Sequence, residues 1–414
     1  MSFEILSPLL VEWGGATLRW LHVITGIAWI GSSFYFMHLD ASLRAVPDIA
    51  KGGEAWEVHG GGFYQVRKYL IAPPGLPEHL IWHKWQSYST WISGFFLLIW
   101  VYYAQSDLYL IDPEVMALSP LAASAIGIAV LAMGWLVYDA LSRALPERDA
   151  LLSALGLLLI MGVCLALQQV FSGRGALIHT GAMMATWMTG NVFFVIIPNQ
   201  RKVIAALKAG ATPDPALGKQ AKQRSTHNNY ITLGVVFLML AGHYPLTFST
   251  PYAFLIVGCV TAAGALVRVF FNLRHAGRGD AWWTWGAAAA LMLVAATISL
   301  TSSVAGRAAL GLAAEAGTPA IEVAELPIAE LPLEELPATL QARCAMCHAR
   351  EPLWPGMLAA PKGVHLETAE DMERHRHAIL VQSGLSHAMP PGNVSAMEER
   401  ERAAVVRWAL GAHP

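Results

Sequence analysis

Eight runs of mostly apolar residues, at 17–39, 86–105, 118–139, 151–171, 178–198, 229–248, 251–271 and 282–304, set the terms for this chain of 414 residues. A segment of about 20 apolar residues is what a helix needs to cross a bilayer. Inside hydrocarbon only a helix or a closed barrel satisfies its own backbone. The expected fold is therefore all-α, a polytopic membrane helix bundle of about eight spans. Composition agrees, since only 14% of residues are charged against about 25% in soluble chains. The formal net charge of −2 gives no basis for binding nucleic acid, and membrane lipid is the expected surrounding. The first run lacks a small-residue cleavage site and reads as a retained anchor. Cys164 and Cys259 lie within apolar runs and read as small buried hydrophobes.

The loops between these runs differ in charge. The first, third, fifth and seventh carry basic residues, among them Arg67 and Lys68, Arg143 and Arg148, Lys222 and Arg224, and Arg274 and Arg278. The second, fourth and sixth together hold only Arg174. Basic loops face the cytoplasm, so the N-terminus and everything after residue 304 are expected outside, on the periplasmic side of a bacterial inner membrane.

Three parts follow: a transmembrane domain at 1–305, a linker rich in Pro, Glu and Ala at 306–336, and a C-terminal domain at 337–414. The linker includes ELPIAELPLEELP. Its regular prolines exclude a long helix and leave an extended spacer or disordered filler. Residues 344–348 read Cys-Ala-Met-Cys-His, the CxxCH pattern of covalent haem attachment. Cys344 and Cys347 would form the thioethers of one haem c, and His348 would ligate the iron. A zinc site would want a second ligand pair, and no cysteine follows. A thioredoxin-like site would want a βαβ setting that this segment lacks.

The order CxxCH helix, Met-Pro loop (His387-Ala-Met389-Pro-Pro-Gly) and closing helix resembles a class I cytochrome c. That resemblance implies Met389 as the distal iron ligand, whose thioether raises the potential. Met357, Met372, Met397, His365, His375, His377 and His387 are its rivals.

Two segments of the first long loop stand out: WEVHGGGFY around His59, and HKWQSYSTW, which begins at His83 and opens the second span. Glycines let a backbone approach a ligand closely, and aromatics beside cations suit a flat anionic heterocycle. An interfacial aromatic belt reads equally well. A four-plus-four parallel repeat is also expected, with His22, Trp29, Gly31 and Phe34 of the first span matching His179, Trp187, Gly190 and Phe193 of the fifth. Ionisable groups within spans are functional candidates. His22, His179 and His243 fall towards the outside, and His38, His83 and His227 towards the cytoplasm.

The strings LHVITGIAWIGSSFYF, HGGGFY, IWHKWQSYSTWISGF, HTGAMMATWMTGNVFF and THNNY resemble, across the whole chain, the bacterial membrane-bound urate oxidases (urate hydroxylases) with a C-terminal cytochrome c. Where that family often has an acidic residue, this chain has Gln86. The resemblance implies oxidation of urate to 5-hydroxyisourate, with electrons leaving through the haem to a respiratory partner, cytochrome c oxidase or a soluble cytochrome c. His59, His83 and His227 are the candidate bases, since a group near neutral pKa suits proton abstraction.

Oxidation of another substrate such as a quinol, a b-haem conduit serving a separate dehydrogenase, and a transporter with a haem sensor domain are the alternatives. Electrons released on the cytoplasmic side must cross a core of ~30 Å. The expected relay is a b-haem or metal held by two of His22, His179 and His243.

Overall fold

The computed structural model describes residues 3–47, 49, 52–70, 73–302 and 331–411. Each apolar run falls on a helix. The first lies within α1 (Phe3–Ser42), and the second on α2 (Trp85–Leu98), which continues as a π-helical turn, Ile99–Tyr103, before a short α3 (Ser106–Tyr109). Then come α4 (Pro120–Ala144), α5 (Asp149–Gln168) and α6 (Gly173–Gly190), the last passing through a π-helical stretch, Asn191–Ile196, into α7 (Ile197–Lys208). α8 (Pro215–Ala241), α9 (Ala253–His275) and α10 (Trp283–Thr301) complete the helical domain. The run at 229–248 is helical only to Ala241. Gly242 and Pro245 interrupt it, and a 3₁₀ turn, Pro245–Thr247, takes over, as expected where proline cannot continue the backbone ladder.

Local chemistry sets the helix starts. The side chain of Ser119 accepts from the Ala122 amide, with Pro120 first in α4. Ser172 accepts from the Gly175 amide of α6, and Asp214 from Ala216 ahead of α8. These are the residues that satisfy otherwise orphaned N-terminal amides.

Five helical stretches among the described residues are long and apolar enough to cross a membrane: α4, α5, α6 with α7, α9 and α10. α6 is the axis of the bundle, packed against α4, α5 and α8. Two-thirds (67%) of its most apolar window is buried, against 17% for α10. Close approach of α4 to α6 depends on glycine: a Cβ on Gly127 would stand 2.7 Å from His179 Nε2, and one on Gly134 would overlap Met183. The outer faces stay apolar, with Ile27, Leu158 and Leu293 each more than 60% exposed, a surface suited to lipid as solvent.

The first loop departs from the all-α expectation. Gly52–His59 (β1) and Gly62–Tyr69 (β2) pair as an antiparallel hairpin, with His59 opposite Gly62. Gly60 and Gly61 have φ of +58° and +81°, the left-handed pair that a two-residue hairpin turn demands. Open space surrounds both, so this glycine run makes a turn rather than a cradle. The corresponding loop of the second half is helical instead, formed by α7 and the start of α8.

Of the linker expected at 306–336, residues 306–330 lie outside the described residues. The packed C-terminal module extends back to Leu331, whose carbonyl accepts from Arg407. Leu331 and Leu333 pack against a core of Leu336, Leu340, Met372, Met397 and Val405. The module comprises α11 (Leu336–His348), two short helices α12 (Ala369–Arg374) and α13 (Arg376–Ile379), and α14 (Glu399–Leu410). A reciprocal Glu398–Glu401 capping box opens α14, and Gly411 in the left-handed conformation ends it.

Candidate functional site

The richest polar cluster inside the helical domain lies where α4, α6 and α8 meet. Asn191, first residue of the π-helical stretch, donates through Nδ2 to the Tyr138 hydroxyl (2.9 Å) and to Asn228 Oδ1 (2.8 Å). Such π insertions concentrate at functional positions. The same hydroxyl lies 2.7 Å from His227 Nδ1. The other ring nitrogen, His227 Nε2, is buried and has no partner.

Arg224, 3% exposed, donates to Asn191 Oδ1 (3.1 Å) and pairs with Asp139 (2.7 Å). Tyr138 stacks on Trp187 with centroids 4.7 Å apart and planes within 6°. The buried indole nitrogen of Trp187 also lacks a partner. Two buried nitrogens with no partner thus flank one tyrosine, beside a neutralised arginine. The cluster can pass a proton between the Tyr138 oxygen and His227 and offer the Trp187 N–H to an acceptor of a ligand.

Of the three expected bases, only His227 is drawn into this cluster. His59 sits exposed at the hairpin tip. His83 is also exposed, its ring edge-on to Phe36 at 4.8 Å and its Nδ1 3.4 Å from the Gln86 amide. Arg224, counted in the sequence as a loop cation, is interior. Tyr138, Asn191 and Asn228 carried no obvious signal, although Asn191 and Asn228 stand in the distinctive strings HTGAMMATWMTGNVFF and THNNY.

The outer histidines meet different partners. His22 Nδ1 lies 3.0 Å from the Thr90 carbonyl, where α1 crosses α2. His179 is fully buried, with Nδ1 2.8 Å from the Gly175 carbonyl and Nε2 3.2 Å from the Tyr103 hydroxyl. Both its nitrogens lie within hydrogen-bond distance of a partner. His243 is exposed in the turn after α8. Among the described residues no group of three His, Cys, Asp or Glu could hold a metal ion.

In the C-terminal module, Cys344 and Cys347 are free thiols at the end of α11. Burial, then the neighbouring Cys347, pushes the Cys344 thiol up to about 12, and burial raises Cys347. A redox CxxC requires the opposite, an acidified thiol. His348 Nδ1 lies 2.9 Å from the Val364 carbonyl. That bond sets the tautomer and frees Nε2 as a metal ligand. Among the rivals of Met389, Met372 and Met397 are consumed by the core. Met389 lies on a loop held by its own backbone, its amide donating to Gln382 O (2.8 Å) and its carbonyl accepting from Arg402 (2.9 Å). These residues fit a covalent haem.

The same loop docks on the helical domain. Asn393 donates to Glu114 at 2.7 Å. Gly392 sits so close to the Asp107 and Ile111 carbonyls that a Cβ would lie 2.6 and 2.7 Å from them. A cleft of about 50 Å³ separates His387 and Pro391 from Tyr109, Arg174 and Phe248. The docking end is built by the loops poor in basic residues.

Residues 8–299 match the model of a family described as Urate oxidase N-terminal. No curated protein and no solved structure matches the chain.

Proposed function

Because the chain belongs to the urate oxidase N-terminal family, we propose that it is a membrane-bound urate oxidase that delivers electrons to a respiratory acceptor through its own cytochrome c domain. The observation that carries the reading is His227: a half-buried imidazole inside the matched region, hydrogen-bonded on one nitrogen and with its other, buried nitrogen unpartnered. Urate and water would give 5-hydroxyisourate, two protons and two electrons. Tyr138 and His227 would move protons, with the Tyr138 oxygen as the receiving atom and His227 Nδ1 as the next. A base of this type contributes most when its pKa lies near the working pH.

Haem c, when bound, takes electrons one at a time. Cys344 and Cys347 would fasten it, and His348 and Met389 would ligate its iron. His22, whose Nε2 makes no hydrogen bond among the described residues, remains the candidate for any b-haem or metal in the helical domain. Docking of the Met389 loop against the loops that carry only Arg174 supports a periplasmic cytochrome and eight spans in a bacterial inner membrane.

Oxygen uptake by membrane vesicles supplied with urate tests this reading. Uptake should stop when the terminal oxidase is blocked, and peroxide should not accumulate. One peroxide released per urate consumed would overturn it in favour of direct reaction with oxygen.

A further inference from the structure

α8 turns a second polar face away from His227, towards α1 and α9. Arg268 of α9 is 6% exposed, and no carboxylate pairs with it among the described residues. Its Nε donates to Asn229 Oδ1 at 2.8 Å, and Nη2 reaches Asn272 Oδ1 at 3.4 Å. The guanidinium lies 3.8 Å over the Phe34 ring of α1. Both amide partners are neutral and the ring is only a weak counterweight, so the charge itself is left without an anion. A buried guanidinium in that state is costly unless a counter-ion arrives.

The surroundings hold further uncommitted groups. Asn229 is fully buried, its Oδ1 committed to Arg268, and its Nδ2 has no partner. One turn along α1 from Phe34, His38 meets His275 of α9 edge-to-face at 4.2 Å, and Nδ1 of each ring is buried without a partner. The nearby carboxylate, Asp40, is already taken by Lys68 and Lys222. One uncompensated cation, one orphaned amide donor and two imidazoles with open positions thus share a seam lined by Phe34 and Phe271.

We propose that this seam between α1, α8 and α9 binds a planar organic monoanion, with Arg268 facing its delocalised charge and Asn229 Nδ2 donating to its edge. That urate is among such anions, bound here apart from the Tyr138–His227 cluster on the other face of α8, rests on the function proposed above; the anion chemistry does not. Guanidinium suits such a partner because its flat fork matches two acceptors in one plane.

Equilibrium binding to the detergent-solubilised full-length protein, anaerobic and pre-reduced so that turnover cannot occur, decides the matter with two probes, urate and benzoate. Arg268→Gln should weaken benzoate binding at least tenfold and remove the seam's share of urate binding. Asn229→Asp keeps the size and the bond to Arg268 but installs a permanent carboxylate, and should weaken binding equally while leaving the fold intact. Urate binding that is unchanged in Asn229→Asp would overturn the site while leaving the urate reading standing. Benzoate binding that depends on Arg268, with no urate binding at all, would leave the site standing and sink the urate reading. Wild-type protein that binds neither probe would sink the site.

Discussion

The Tyr138 hydroxyl shares a hydrogen bond with His227 Nδ1 across 2.7 Å and accepts from Asn191 at the same oxygen. Removing that oxygen strands two buried polar groups at once. Tyr138→Phe should therefore cost about 1–3 kcal/mol of stability and lower urate turnover at least tenfold. Thermal unfolding in detergent and steady-state kinetics check the two effects separately. His227→Gln should leave the fold and remove turnover.

Arg224 is buried and pairs with Asp139, which is half-buried and also holds Arg143, so removing the carboxylate leaves the Arg224 charge alone. Asp139→Asn should cost about 3–5 kcal/mol. The double change Asp139→Leu with Arg224→Met should cost clearly less than the single one. A double-mutant cycle on unfolding measures the difference.

A haem bound through Cys344 and Cys347 should resist extraction by acid–acetone and travel with a proteolytic fragment containing residues 331–411. Cys347→Ser or His348→Ala should abolish the normal c-type spectrum. Met389→Ala should keep the haem but lower its reduction potential. Visible spectra and redox titration report each outcome.

Gly127→Ala should push a methyl group into the bond between His179 and Tyr103, where a Cβ finds Nε2 and the hydroxyl each 2.7 Å away. The expected loss is about 1–3 kcal/mol. Gly156→Ala, on α5 with nothing within 4 Å of its Cβ, should be neutral or stabilising. Comparing the two unfolding midpoints isolates the packing effect.

The hydrogen bond from Thr368 holds the Asp371 carboxyl below the usual carboxylate range, with Arg350 and Arg374 assisting. A depressed pKa stabilises above the unfolded value and is lost as pH falls through the folded one. Thr368→Val should therefore reduce stability at neutral pH and flatten its loss below about pH 4. Unfolding midpoints across pH 3–7 would show it.

The hairpin at 52–69 marks where pattern reading stopped short. WEVHGGGFY pointed to close ligand approach, yet Gly60 and Gly61 satisfy a turn, and strand pairing depends on a register that composition does not state. Arg224 was equally opaque: near the end of a basic loop it looks like an orientation signal, and only the crossing of α8 with α4 brings Asp139 within reach. Arg268 sat in an apolar run with no visible partner for the same reason.

Periodicity and residue chemistry determined what is local: where helices run, how Ser119, Ser172 and Asp214 start them, which loops are basic, and that Cys344, Cys347 and His348 stand at haem-attachment spacing. These follow from hydropathy, capping and covalent reach along one segment. The tertiary structure alone decided that His227 belongs with Tyr138 and Asn191 rather than with His59 or His83, and that Arg268 faces Phe34 and Asn229 without an anion. Such groupings join residues 36 to 234 positions apart, and they depend on which helix faces pack together. Packing is decided by shape and by polar satisfaction across the whole bundle, which no single stretch of sequence contains.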